Sequence, residues 1–250
     1  MVYLQKGETV TRTAINKSSR TVARAGDSTN DDIRRERTRA RLAQAVLSIA
    51  SERDIGSASI AELTKRAGIY RTTFYSHAET PTELLVKVLS DELDLVRQEG
   101  IVELEKGGRL RRGLSHRLLG EVADHAVKHR TIYASADRTT STFALRSVLA
   151  EHIEASIALY IQKGFLTPPS LLCEDIALYS RFIAHGMAGA VETWLRFSVP
   201  QDREQLLRAI EATLPAWYAP ELPSELSQPD ESAHVAPTRP SSRGSKRRTK

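Results

Sequence analysis

A segment in the first third of the chain concentrates side chains that can donate hydrogen bonds to nucleic acid. Residues 63–77 place a glycine, Gly68, between two short stretches that could form helices joined by a tight turn. An Arg can bond both acceptors of a guanine edge, and Thr, Tyr and His can donate to bases or phosphates. The candidate DNA contacts on the second of these helices are Arg71, Thr72, Thr73, Tyr75 and His77. The alternative is an ordinary solvated helix face.

Two histidines further along, His125 and His129, are four residues apart and could face one metal ion. No carboxylate or further ligand stands at a recognisable spacing from them. Ordinary surface or pocket histidines are therefore the favoured interpretation, and we expect neither a metal ion nor a cofactor.

Cys173 is the one cysteine of the chain, which excludes a disulfide framework and a thiolate metal cage. It could be a sensor thiol of lowered pKa, but an inert buried residue is the favoured interpretation. The chain has no Gly-x-Ser-x-Gly elbow, no glycine-rich phosphate loop with Lys and no His-Glu-x-x-His. We therefore expect a protein that is not an enzyme.

The composition indicates a helical globular protein: 40% of the 250 residues are hydrophobic and 6% aromatic. The net charge is +5, and residues 1–79 hold 14 basic and 9 acidic side chains. A basic end suits a polyanion such as DNA, although a mildly basic tail equally serves solubility. We find no signal peptide and no apolar run of membrane-spanning length, so we expect no membrane association and a cytoplasmic location.

The spacing of apolar residues predicts consecutive helices and no strands. The first helix begins near Asp31 and stops at Gly56. Ser59 opens a short helix to about Ala67 through a capping box, and a second short helix runs from Arg71 to about His77. A further capping box at Thr80, with Pro at the first helical position, opens a long helix from Pro81 to about Gln98.

Longer helices follow. The predicted segments span Leu110 to Ala126, Phe143 to Tyr160 with a stop at Gly164, Ser170 to about Phe197, and Asp202 to Leu214 with a stop at Pro215. We expect four domains or segments: a disordered basic arm at 1–30, a helix-turn-helix domain at 31–85, a helical effector-binding and dimerisation domain at 86–219, and a disordered basic tail at 220–250.

Residues from about 38 to 85 resemble the N-terminal domain of the TetR family of bacterial transcriptional regulators. Three features depart from the family pattern: Tyr70 replaces a capping Ser, Ala50 and Ala78 replace core Phe residues, and Pro81 replaces a phosphate-binding Lys. Arginines before the helix-turn-helix could supply the lost charge: Arg34, Arg35, Arg37 and Arg39. The positions that match the recognition-helix pattern are Ala67, Gly68, Ile69, Arg71, Thr73, Phe74, Tyr75 and His77.

The resemblance implies an all-α fold, with a three-helix DNA-binding domain followed by a larger helical domain for ligand binding and dimerisation. It implies binding of a pseudo-palindromic double-stranded DNA operator as a homodimer and release by an unidentified small-molecule effector. Repression is the family's commoner outcome and is the implied form of regulation. The implied DNA-binding residues are Arg39, Ser59, Tyr70, Arg71, Thr72, Thr73, Tyr75 and His77. The implied dimer-interface residues are Gly186, Gly189, Ala190 and Trp194.

An effector pocket could be lined by aromatic residues of the second domain, although each is more often plain core or interface. These residues are Phe143, Tyr160, Tyr179 and Phe182. An all-α small-molecule-binding protein or a protein-interaction module with a vestigial helix-turn-helix remains the alternative to a regulator.

Overall fold

The computed structural model of the chain describes residues 32–134, 140–197 and 202–218. The predicted arm at 1–30 and the predicted tail at 220–250 lie outside the described residues. Within the described ranges the secondary structure is helical, with no strand, which confirms the all-α prediction. None of the helices found there combines the length and the apolar character needed to cross a membrane.

Nine α-helices occur in the described residues. We number them α1 (32–52), α2 (Ile60–Ala67), α3 (Arg71–Tyr75), α4 (Pro81–Gly107), α5 (Arg112–Lys128), α6 (Arg130–Tyr133), α7 (Thr140–Gln162), α8 (Cys173–Leu195) and α9 (Arg203–Thr213).

The predicted capping residues start three of these helices. The side-chain oxygens of Ser59, Thr80 and Asp202 each accept a hydrogen bond from a backbone N–H in the first turn of α2, α4 and α9. These bonds satisfy one of the donors that a helix N-terminus otherwise leaves unpaired. At the other end, Gly164 has a φ of +76°, which fits its predicted role as the stop after α7.

The first helix ends earlier than expected. It stops at residue 52 rather than Gly56, because Ile55–Ser57 form a separate 3₁₀ turn. The Asp54 side chain caps that turn by accepting from the Gly56 N–H, and Ile55 is buried beneath it. The connection is therefore an ordered corner between α1 and α2.

The α4 helix is longer than the sequence analysis predicted. It continues past Gln98 to Gly107 and ends at Gly108, whose φ is +74°. Gly100, within the helix, is a packing site: a β-carbon there would lie 2.9 Å from the Tyr160 hydroxyl and 3.1 Å from Leu118. The helix thus contributes to both predicted domains, and the expected boundary at residue 85 falls inside it.

The second half of the chain packs around α4 and α7. The α7 helix lies against α4 on one side and α8 on the other, and α5 contacts α4, α8 and α9. The Arg130 guanidinium donates to the carbonyls of Leu195 (3.0 Å) and Phe197 (3.2 Å), so it caps the C-terminus of α8. The ends of α6 and α8 are joined by these charge-assisted bonds.

Candidate nucleic-acid interface and effector cavity

Helices α2 and α3 form a helix-turn-helix. Gly68 adopts a left-handed conformation at the end of α2, with φ 65° and ψ 40°. The Ile69 N–H bonds to the Thr64 carbonyl at 3.1 Å, and the Thr64 hydroxyl bonds to the Ile60 carbonyl at 2.8 Å. Left-handed backbone suits Gly far better than other residues, so this turn depends on the residue that the sequence analysis singled out.

The α3 helix has one buried face and one exposed face. Phe74 is fully buried against the α1–α2 core, and Ile69 packs partly buried beside it. Tyr70 and Tyr75 are 84% and 56% exposed, which leaves large aromatic side chains in solvent. The remaining predicted contacts lie on the same helix or just after it: Arg71 and Thr72 are exposed, and Thr73 and His77 are half-buried.

The start of α3 lacks a side-chain cap. Tyr70 occupies the N-cap position and makes no capping bond with its side chain, as its type implies. Its carbonyl accepts from the N–H groups of Thr73 (3.0 Å) and Phe74 (3.2 Å). Helix α3 is therefore held by Phe74 and by backbone bonds, and the Tyr70 ring is exposed to solvent.

Two ion pairs hold α2 against the end of α1. Arg66 makes a forked contact with Glu52 at 2.7 and 3.2 Å, and Arg53 pairs with Glu62. Hydrogen bonds from Arg66 and Arg53 lower the pKa of Glu52 and Glu62 respectively. These arginines have carboxylate partners, whereas Arg71 makes no ion pair with any residue that the structure describes.

A group of basic side chains lies beside α3. Arg39 of α1, His77 and Lys87 of α4 line one small surface depression, with Asp91 at its edge. The Lys87 ammonium donates to the His77 carbonyl at 3.5 Å, and Arg39 pairs loosely with Glu36 at 3.6 Å. Burial lowers the pKa of His77, and the nearby Lys87 and Arg39 lower it further.

Lys87 was not among the predicted contacts. Pro81 stands where the resemblance led us to expect a basic residue, and Lys87 provides a positive charge less than two turns later on the same helix. An exposed lysine in the second turn of α4 could have been proposed from the sequence, but its proximity to His77 requires the fold.

The interior of the second half contains a cavity of about 40 Å³ between α4, α5 and α7. Tyr160, one of the predicted pocket residues, lines it together with Arg97, His152 and Tyr218. Burial lowers the pKa of His152 to about 4, helped by Arg97 nearby, and burial raises the pKa of Tyr160 and Tyr218. The cavity is therefore small and has polar groups on an otherwise apolar wall.

One of these polar groups, the His152 ring, has a nitrogen without a hydrogen-bond partner in the described residues. The buried Nδ1 of His152 lies 3.7 Å from Asp94 Oδ1 and makes no hydrogen bond within the described residues. Arg97 pairs with the same Asp94 carboxylate from one turn away on α4. A buried ring nitrogen without a hydrogen bond is costly unless a water or ligand satisfies it.

The other predicted pocket residues lie elsewhere. Tyr179 and Phe182 line an open apolar groove of about 1080 Å³ between α8 and α9, and Phe182 is 83% exposed. Tyr179 also contacts the ring of Trp217, with ring centres 5.7 Å apart. The side chain of Phe143 lies outside the described residues.

The predicted dimer residues divide between surface and interior. Gly186 and Ala190 line the α8–α9 groove, and Gly189 is exposed with open space beside it. Trp194 is only 3% exposed, and its indole N–H donates to the Asp202 carbonyl at 3.1 Å. Within one chain the Trp194 ring joins α8 to the start of α9, and its assignment to the dimer interface stays a prediction.

The structure also places the cysteine that the sequence analysis considered. Cys173 is exposed at the first position of α8, so the expectation of a buried thiol was wrong.

His125 and His129 are buried, and Glu92 of α4 lies against both. The sequence analysis did not identify Glu92 because it belongs to another helix, and no local spacing relates it to the histidines. Burial lowers the pKa of His125 to about 4.

No protein-family model matches the chain, and no curated protein matches it. Solved structures match in fold. The fatty acid degradation regulator FadR from Bacillus halodurans has a TM-score of 0.50 at 12% identity, covering 70% of this chain and 93% of that chain. FadR from Thermus thermophilus, a TetR-family transcriptional repressor in complex with lauroyl-CoA, has a TM-score of 0.49 at 18% identity, covering 70% and 91%.

A TetR transcriptional regulator from Streptococcus agalactiae has a TM-score of 0.49 at 17% identity, covering 74% of this chain and 97% of that chain. At these identities the likeness concerns fold and not activity. The helix-turn-helix at the start and the helical domain that follows it give this chain a TetR-like fold.

Proposed function

We propose that the chain is a ligand-responsive transcriptional regulator that binds operator DNA as a homodimer. The observation that carries the proposal is α3, a short helix with its apolar face fully buried and its hydrogen-bond donors exposed. A helix of this kind on a helix-turn-helix enters the major groove, where donors distinguish one base pair from another.

The exposed residues divide into two groups by position. Arg71, Thr72 and Tyr75 belong to α3 itself and are suited to base edges, with Arg71 as the candidate for a guanine. The basic group of Arg39, His77 and Lys87 lies beside α3 and suits backbone phosphate, as does Ser59 at the N-terminus of α2. Phosphate contacts would fix the register, and α3 would read the sequence.

We assign the dimer contact to the α8–α9 groove. Its wall is apolar and open, and large apolar side chains project from α8 beside it, among them Leu178 and Phe182. Small residues at Gly186 and Ala190 would allow a helix from a second copy to approach closely. A two-fold pair of this kind would present two recognition helices to successive major grooves about 34 Å apart.

We assign the effector site to the interior cavity around Tyr160. At about 40 Å³ it holds only a few water molecules, so an effector must open it by separating α4, α5 or α7. Arg97 and the Nδ1 of His152 favour a ligand with an acidic or other hydrogen-bonding group. Such a ligand shifts the equilibrium only if it binds the DNA-releasing conformation more tightly.

The proposal is tested by fluorescence anisotropy of the full chain on DNA that flanks its own coding region. A scrambled DNA of equal length and composition is the control, and both are titrated across a salt series. We expect tighter binding to the flanking DNA that persists at salt concentrations where the scrambled DNA is released.

Equal and steeply salt-dependent binding to both DNAs would contradict specific recognition at that site. A further outcome is that the protein binds neither DNA while its cooperative melting shows that it is folded. That outcome would favour a helical ligand-binding or interaction protein with a vestigial helix-turn-helix.

A further inference from the structure

Helix α4, helix α5 and the residue that follows α5 bring together three side chains that can ligate a metal ion. In the described residues, one ligand atom each from Glu92, His125 and His129 lies within 4.8 Å of the others. Glu92 Oε2 is 2.8 Å from His129 Nε2 and 3.4 Å from His125 Nδ1. The two imidazole rings meet edge to face, with centres 4.9 Å apart, so that both present a nitrogen to the same carboxylate.

The second nitrogen of His125 is already engaged. His125 Nε2 lies 3.1 Å from the hydroxyl of buried Tyr133, on α6. If Nε2 carries the proton and donates to Tyr133, Nδ1 presents a lone pair to the centre of the cluster. A hydrogen bond from the outer nitrogen of a histidine commonly orients that residue as a metal ligand. Tyr133 is in this sense a positioning residue.

The two separations between Glu92 Oε2 and the histidine nitrogens are close to those in a tetrahedral site. With metal–nitrogen and metal–oxygen distances of about 2.0–2.1 Å, tetrahedral ligand atoms lie about 3.3 Å apart. The two observed separations from Glu92 Oε2, 2.8 and 3.4 Å, bracket that value. All three ligand atoms lie within 4.8 Å of one another, so side-chain adjustment would have to bring them to a common ion.

Lys128 is the group that opposes a cation here. Its ammonium lies 3.0 Å from Glu92 Oε2, but its side chain is largely exposed. The four-carbon stem can turn into solvent, where an ammonium is strongly hydrated. Displacement of Lys128 and of any proton shared between Glu92 and His129 would accompany ion binding.

We propose that Glu92, His125 and His129 form a binding site for one divalent transition-metal ion of the zinc class, with water in the remaining position. Two imidazoles and one carboxylate form a ligand set typical of zinc sites that keep an open position. Imidazole ligands favour Zn²⁺, Ni²⁺ or Cu²⁺ over Mg²⁺ and Ca²⁺, which prefer an all-oxygen shell. None of the three ligands lines the effector cavity or belongs to the basic group beside α3.

The test uses tag-free full-length protein, stripped with a chelator and dialysed. Co²⁺ titration followed by visible absorption reports tetrahedral nitrogen and oxygen coordination directly, and calorimetry with Zn²⁺ gives the stoichiometry and the affinity. We expect one ion per chain and a rise in melting temperature with Zn²⁺, because an ion that binds the folded chain stabilises it. Mg²⁺ at equal concentration should produce neither effect.

Two variants examine the ligands, and two examine rival sites. Glu92→Gln keeps the shape and a hydrogen bond to His129 but removes the anionic ligand, and His129→Gln removes one imidazole. Each should weaken Zn²⁺ binding by at least about 100-fold, since each removes a direct ligand rather than an outer partner. His116→Gln is the matched control, because His116 also contacts two carboxylates, Glu204 and Glu211, but through opposite ring nitrogens.

The other control, Cys173→Ser, removes the exposed thiol. Both control variants should bind Zn²⁺ as tightly as the parent chain. Circular dichroism and thermal melting first establish that each variant is folded. If His129→Gln is not folded, the test rests on Glu92→Gln alone. The proposal is overturned if the parent chain gives no cobalt spectrum and no zinc-dependent stabilisation, or if folded Glu92→Gln binds as the parent does.

Discussion

At the residue scale, Arg71 is the side chain on which the proposed recognition of the DNA sequence depends most directly. It is exposed on α3 and makes no ion pair with the described residues, so no carboxylate must be displaced before it reaches a base. Arg71→Ala should weaken operator binding by about 1–3 kcal/mol, or about 5- to 150-fold, if it pairs with a guanine.

The measurement is anisotropy on operator and scrambled DNA. Arg117→Ala, which removes an exposed arginine from α5, is the matched control and should leave both affinities unchanged. An equal loss on both DNAs would assign Arg71 to phosphate instead of a base.

His77 provides a second test at the same scale. Its pKa in the unbound chain is lowered by burial, Lys87 and Arg39, so the neutral form is favoured near pH 7. A phosphate beside the ring would favour the cation and raise the pKa, so DNA binding would take up a proton. Affinity should then increase as the pH falls below 7 and decrease as it rises.

His77→Gln should flatten this pH dependence, measured by anisotropy at constant ionic strength, while His116→Gln should preserve it. Melting curves at each pH separate the effect from unfolding, because a histidine with a lowered pKa in the folded state makes the fold less stable in acid. A slope retained in His77→Gln would show that another group takes up the proton.

At the element scale, the turn between α2 and α3 depends on the backbone of Gly68. A β-carbon at this position would meet nothing within 4 Å, so the cost of substitution comes from the positive φ alone. Gly68→Ala should lower the free energy of unfolding by about 1–2 kcal/mol. Gly107→Ala is the control, since Gly107 has equal space in the last turn of α4 and does not have a positive φ.

Denaturant unfolding of the two variants gives the comparison. Gly107→Ala should leave stability unchanged or raise it by about 0.5–1 kcal/mol, because Ala loses less backbone entropy in a helix. Equal effects at both positions would contradict a special role for the turn.

The same elements show how far local sequence determines the structure. The capping residues Ser59, Thr80 and Asp202 predicted three helix starts, because a cap is made by residues within one turn. The sequence analysis ended α4 at about Gln98, whereas the helix continues to Gly107 with Gly100 packed beneath Tyr160 and Leu118. That contact joins three helices and leaves no local pattern.

The candidate site residues also divide into those that local sequence predicts and those that only the packing of helices brings together. Phe74 and Gly68 belong to a contiguous motif, and their roles in the helix-turn-helix followed from residue type and spacing. Lys87 beside His77, and Glu92 beside the histidine pair, come from α4 and required the packing of that helix. The contact of Trp194 with the start of α9 was not predicted, because an apolar residue on α8 can face either a partner or α9, and helical periodicity does not distinguish the two.

At the scale of the whole molecule, the α8–α9 groove predicts the oligomeric state. Phe182 is almost fully exposed, so replacing it should cost the single chain little stability. Phe182→Glu would place a charge in a desolvated apolar contact, and we expect a shift from dimer to monomer with at least about a 10-fold loss of operator affinity.

Sedimentation velocity over a concentration series measures the shift. Leu95→Glu is the matched control, because Leu95 is an exposed apolar residue of α4 that does not line the groove. A dimer unaffected by Phe182→Glu would place the contact on another surface.

The uninterrupted course of α4 has a geometric consequence. Its 27 residues contain Pro only at the first position, and at 1.5 Å per residue they form a rod about 40 Å long. A tilt of only about 5° at the far end of such a rod moves the near end by about 3.5 Å. In a two-fold pair the displacements add to about 7 Å, a fifth of the 34 Å period between major grooves. In the proposed dimer, a rearrangement about as wide as a few water molecules among α4, α5 and α7 would therefore be enough to put the two α3 helices out of phase with the double helix.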